Sequence, residues 1–127
     1  MARRRFWNVG TLNPKVKIIG GTVTIGASGA ISAQTGSKLS GGTVAQTGSE
    51  DGRYAVTFDR TWSAILGAHV QMVGPADNAF PTTTGSDPQT RNLAATGFDI
   101  QAKRVDTQAD ADSASGTLYS WFALVVA

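Results

Sequence analysis

A chain of 127 residues, 41% hydrophobic and only 16% charged, fits one folded domain with a short appendage and can bury a core of its own. Three of its eleven basic residues are grouped at Arg3, Arg4 and Arg5, so a formal net charge of +2 leaves the remainder near neutral. With no cysteine, disulfide staples, thiolate chemistry and Cys-ligated metal are excluded, and no apolar run approaches the length of a membrane span.

The charged share lies well below the usual quarter, while Gly, Ser, Thr and Ala are plentiful. Small and β-branched residues punctuated by glycine predict short strands and turns, hence an all-β fold. Residues 1–14, "MARRRFWNVGTLNP", read as an extended arm: charge, two aromatics, then a turn at Asn13-Pro14. "MARRR" could open a signal peptide, but "FWNVGTLNPKVK" stands where an apolar stretch is required. The expectation is a soluble protein kept in the cytoplasm until it joins an assembly.

Residues 15–48 are a Gly/Ser/Thr-rich string expected to form very short strands, either as a hairpin on the domain or as a stem. "GGTV" occurs at Gly20–Val23 and again at Gly41–Val44, which reads as two similar turn-and-strand pieces, with a repeat remnant as the alternative. From residue 49 the pattern sharpens. Tyr54, Val56 and Phe58 alternate with Ala55, Thr57 and Asp59, as in a half-buried strand. "SAILGAHVQMVG" follows, with Ile65-Leu66-Gly67 as a helical turn or a corner and Val70–Val73 as a strand. Gly74–Arg91 holds three of the four prolines and has no period, so it reads as a long surface loop. Phe98, Ile100 and Ala102 alternate once more, and "TQADADSASG" is a polar loop.

The last strand, from about Thr117 to Val126, is apolar on both faces. Tyr119, Trp121, Ala123 and Val125 share one, and Leu118, Phe122, Leu124 and Val126 the other, with Ser120 alone polar. Such a strand needs cover on both sides. In a β-sandwich the opposing sheet covers one; the other needs another layer or another subunit, and a homo-oligomer, most simply a cyclic one, supplies it. Tyr119, Trp121, Phe122 and Leu124 are therefore the expected subunit-interface residues.

Catalytic residues are not found. His69 sits alone in "GAHVQMV", no G-x-S-x-G elbow exists, and "TGSKLS" lacks the spacing of a phosphate loop. Asp106, Asp110 and Asp112 have an Asp-x-Asp element reminiscent of calcium loops but lack the closing Glu, so a solvated acidic loop is favoured. Glu50, Asp51 and Asp59 have nothing that marks a paired-carboxylate site. No cofactor and no metal is expected. The polar feature of most interest is the arm: Arg3, Arg4, Arg5, Phe6 and Trp7 suit docking on an acidic protein surface, with a solubilising tail and nucleic acid as alternatives. Three charges would release about three counterions, a weak hold on nucleic acid in physiological salt.

Taken in order, "GRYAVTFDRTWSAILGAHVQMVG", a Pro-rich loop, "GFDIQAKR" and "ASGTLYSWFALVV" resemble a module of tailed-bacteriophage structural proteins, over about residues 50–127. Capsid decoration (cement) proteins and fibre tips belong to that group, and the module is similar to trimeric jelly rolls. The resemblance implies an arm at 1–14, capsid-contacting or stem strands at 15–48, and a jelly-roll-like β-sandwich at 49–127. It further implies a homotrimer on the capsid exterior, assembled in the host cytoplasm, with the major capsid protein as partner and neither membrane nor nucleic acid involved. The implied function is capsid stabilisation by bridging neighbouring subunits; the alternative is a receptor-binding fibre tip.

Overall fold

The computed structural model describes residues 15–47, 51–72, 86–104, 107–112 and 115–127. The described residues form eight strands: β1 (Val16–Ile25), β2 (Ile31–Gln34), β3 (Gly42–Gln46), β4 (Arg53–Phe58), β5 (Ala64–Met72), β6 (Ser86–Ala94), β7 (Gly97–Arg104) and β8 (Leu118–Val126). They form two antiparallel sheets, a front sheet ordered β2-β1-β8-β5 and a back sheet ordered β3-β4-β7-β6. Among the described residues, helical backbone is confined to a tight turn at Ala27–Gly29 and a single helical turn at Ser37–Ser40.

The two-residue period of a strand explains the core. Tyr54, Val56 and Phe58 of β4 and Phe98, Ile100 and Ala102 of β7 all point inward and are buried. From the front sheet Val23 and Ile25, Val70, and the Tyr119–Val125 face of β8 meet them in one continuous cluster. The Phe98 ring stands edge-on to Trp121 with centroids 5.9 Å apart, and Phe58 lies 6.0 Å from Phe98, so aromatic contacts span both layers. β8 is central: Trp121 lies opposite Gly21 of β1 on one side and Val70 of β5 on the other. The C-terminal segment is thus tied down by two neighbours.

Four local expectations change. The first strand of the Gly-rich region is ten residues long, not very short. It runs through Gly20-Gly21 because a Cβ at Gly21 would come within 2.9 Å of the Thr35 and Ser40 side chains. The second "GGTV" begins differently, at the left-handed Gly41 (φ +80°) that ends the helical turn, so the two copies do not share a conformation. Gly42 leaves room for Trp121, whose Cη2 would lie 3.2 Å from a Cβ there.

Ile65-Leu66-Gly67 is neither a helical turn nor a corner. β5 continues through it, with a bulge that leaves Leu66 exposed. Ser86–Arg91, expected within a surface loop, belongs to β6, which pairs along β7. Its pattern was hidden because an edge strand needs only one bonded side and tolerates Pro88. The sheets together draw on residues 16–126, so the Gly/Ser/Thr-rich segment supplies three of the eight strands.

Candidate functional site

On β8 the residues that do not enter the core are Leu118, Ser120, Phe122, Leu124 and Val126. Pairing sets Thr24, Thr22, Gly20, Ile18 and Val16 of β1 beside them in that order. On the other side β5 contributes Gln71, His69, Gly67 and Ala64. These positions make up the outer face of the front sheet across its three longest strands, and none of them is Asp, Glu, Lys or Arg. Ile18 is 73% exposed and Phe122 46%, while Val16, Leu124 and Val126 are half-buried. The His69 ring lies against Phe122, tilted by 40° with centroids 5.3 Å apart. Full cover of one side chain such as Ile18 or Phe122 is worth about 1.5–3 kcal/mol, so a face of this composition favours being covered.

Beside Gly20 the face sinks into a groove of about 440 Å3. Gly20 supplies no side chain there and cannot carry one, since a Cβ would collide with the Trp121 carbonyl oxygen and approach Phe122 Cβ to 2.8 Å. Ile18 and Phe122 form two of its walls. Leu39, 86% exposed, stands at its rim from the helical turn. That turn is held by the Ser40 hydroxyl, which donates to the Gly42 carbonyl at 2.8 Å. β2 pairs only with Val23–Ile25, so among the described residues no strand lies beyond the Val16–Gly21 edge of β1.

The outer face of the back sheet has the opposite character. It presents Arg53, Ala55 and Thr57 of β4, Asp99 and Lys103 of β7, and Gln89 and Arg91 of β6, while Gln101, on the same side of β7, is buried. Its polar groups satisfy each other: Arg53 Nε donates to Gln101 Oε1 at 3.2 Å, Asn92 Nδ2 to Asp99 Oδ2 at 2.7 Å, and Lys103 Nζ to Asp110 Oδ1 at 2.6 Å. The hydrogen bond from Lys103 holds the Asp110 carboxyl below the usual carboxylate range.

The expected interface residues divide between the two sides of β8. Tyr119 and Trp121 face their own core and are buried; Phe122 and Leu124 lie on the outer face. Burial within the chain removes Tyr119 and Trp121 from any contact surface, because the opposing sheet already covers them. The arm residues Arg3, Arg4, Arg5, Phe6 and Trp7 lie outside the described residues, as do Glu50 and Asp106. Of the acidic loop, Asp110 pairs with Lys103, and Asp112 Oδ1 accepts from the Gly52 amide at 2.7 Å. Asp51 and Asp59 are exposed. Among the described residues, no three of His, Cys, Asp and Glu are gathered so as to hold a metal ion, and no helix is long and apolar enough to cross a membrane.

Sequence reasoning missed Ile18, Gly20 and Leu39. The one local signal was Ile18-Ile19 in "KVKIIGG", since a strand must turn one member of an adjacent apolar pair outward. No protein-family model, curated protein or solved structure matches the chain.

Proposed function

We propose that this chain is a non-catalytic structural protein of a tailed bacteriophage: a capsid decoration protein that binds the head exterior as a homotrimer and bridges neighbouring copies of the major capsid protein. The observation that carries the reading is the difference between the two outer faces. One is mostly apolar and carries no Asp, Glu, Lys or Arg, with Ile18, Phe122 and Leu124 at the surface. The other is polar and internally hydrogen-bonded, as suits a surface left in water. A small sandwich wet on one side and covered on the other is suited to a layer in a larger assembly.

What supports the jelly-roll part of this reading is the number of strands among the described residues, eight, and the pairing of the first with the last; the hairpins β1–β2, β3–β4 and β6–β7, each within one sheet, depart from that topology. In this reading Arg3, Arg4, Arg5, Phe6 and Trp7 form the capsid-binding arm. Binding only to the assembled shell adds its free energy to shell stability, and three arms per trimer slow release.

The test is co-sedimentation with heads purified without the protein. Saturable binding, lost on deletion of residues 1–14, together with a higher temperature of head disruption, is the expected result. Binding to host cells and not to heads would replace decoration by a receptor-binding tip.

A further inference from the structure

We infer that the outer face of the front sheet, centred on Ile18 and Phe122 and including the groove over Gly20, is the surface through which copies of this chain pack together. The inference rests on the oligomeric part of the proposed function and assigns it a place.

Three observations name a sister chain as the occupant. The first is charge. The face pairs fourteen positions on β1, β8 and β5 without one Asp, Glu, Lys or Arg. A nucleic acid or a strongly charged protein surface finds no counter-charge there, whereas an identical face brings no unpaired charge into the contact. The second is size. Three strands of about nine residues and the four-residue β2, at about 4.8 Å spacing and about 3.3 Å per residue, span roughly 500 Å2 in projection. Accessible area exceeds projected area, which brings the face near the roughly 800 Å2 per partner of a stable interface.

The third is shape. Ile18 and Leu39, 73% and 86% exposed, line a groove of about 440 Å3 together with Gly20 and Gly21. Projections and a hollow on one surface let one copy fill what the other leaves open, with the half-exposed Phe122 as the aromatic anchor. Tyr119 and Trp121 act from behind, packing the core so that Phe122 is presented on a rigid central strand.

The test is the mass of the full chain in solution, by sedimentation or light scattering at tens of micromolar, with far- and near-UV circular dichroism as the folding check. Wild type is expected to be oligomeric. Phe122→Glu and Ile18→Lys replace exposed side chains, so each should remain folded and run as a single chain, with self-affinity weakened on the order of thirty-fold or more. Thr57→Glu, on the outer face of the back sheet, should leave the mass unchanged.

A monomeric wild type overturns the inference, whether the face is then open or covered by residues 1–14 of the same chain. So does an oligomer that survives both front-face substitutions while dissociating with Thr57→Glu. Head binding is scored separately. Self-association through this face without affinity for heads leaves the inference standing and removes the decoration role; head binding by a monomer does the reverse.

Discussion

At the scale of single residues, buried polar contacts organise the molecule. The Tyr54 hydroxyl donates to the Gly29 carbonyl at 2.8 Å, tying β4 to the Ala27–Gly29 turn. Burial, with smaller contributions from Tyr119 and Asp112, pushes its ionisation well above the ordinary tyrosine range. The folded chain therefore keeps this proton at a pH where the unfolded chain loses it. The associated stability is fully present below about pH 10, the pKa of an unfolded tyrosine, and declines as pH rises beyond it. Urea unfolding followed between pH 8 and pH 11 should show that decline. Tyr54→Phe should flatten it while costing about 1–3 kcal/mol at pH 7, because the Gly29 carbonyl loses its donor.

Gly52 is a second such point. It adopts φ +69°, and a Cβ there would collide with the Ala111 carbonyl oxygen and lie 2.9 Å from that of Ala102. Its amide donates to Asp112, and its carbonyl accepts from the Ala102 amide. Gly52→Ala is expected to destabilise by about 2–4 kcal/mol, read as a fall in melting temperature on the order of 10 °C. An unchanged melting temperature would show that the turn can relax around the added methyl.

At the scale of elements, β8 divides its residues alternately between the core and the outer face of the front sheet. Trp121 is 2% exposed and packs edge-on to Phe98; Phe122, its neighbour in sequence, faces outward against His69. Trp121→Ala should cost about 3–5 kcal/mol in chemical unfolding. Phe122→Ala should cost less, about 1–2 kcal/mol, because nearly half of the side chain already lies in water. Comparable costs at the two positions would mean that the outer face is covered within the chain.

The strands legible beforehand were β4, β7 and β8, where aromatic and aliphatic residues mark every second position. β1 and β6 were not. In β1 the glycines that permit close packing, Gly20 against β8 and Gly21 against Thr35 and Ser40, also break the apolar pattern. In β6 the chain reads as polar loop, because its pairing with β7 supplies order that its own composition does not.

At the scale of the whole molecule, the sandwich presents two unlike surfaces and one stable centre. β8 and β7 are interior strands of their sheets, so their amides should exchange slowest with solvent, with β2 and β6 at the edges exchanging sooner. Hydrogen exchange read by mass spectrometry checks this directly. If the Arg3–Arg5 arm docks on an acidic head surface, head affinity should fall as ionic strength rises from about 0.05 to 0.5 M, while the apolar self-contact should not weaken. A salt-independent head affinity would move the docking surface away from the arginines.

What the sequence determined alone was local in origin. The two-residue period of Tyr54–Phe58, Phe98–Ala102 and Tyr119–Val125 set the fold class and the core face of each strand, because side-chain direction in a strand depends only on position along it. What only the tertiary structure decided was which surfaces those strands build together. Ile18 and Phe122 lie near opposite ends of the chain, and neither marks a site by itself. They share an uncharged face because β1 and β8 pair in one register, and such pairing is a property of the folded sheet rather than of either segment.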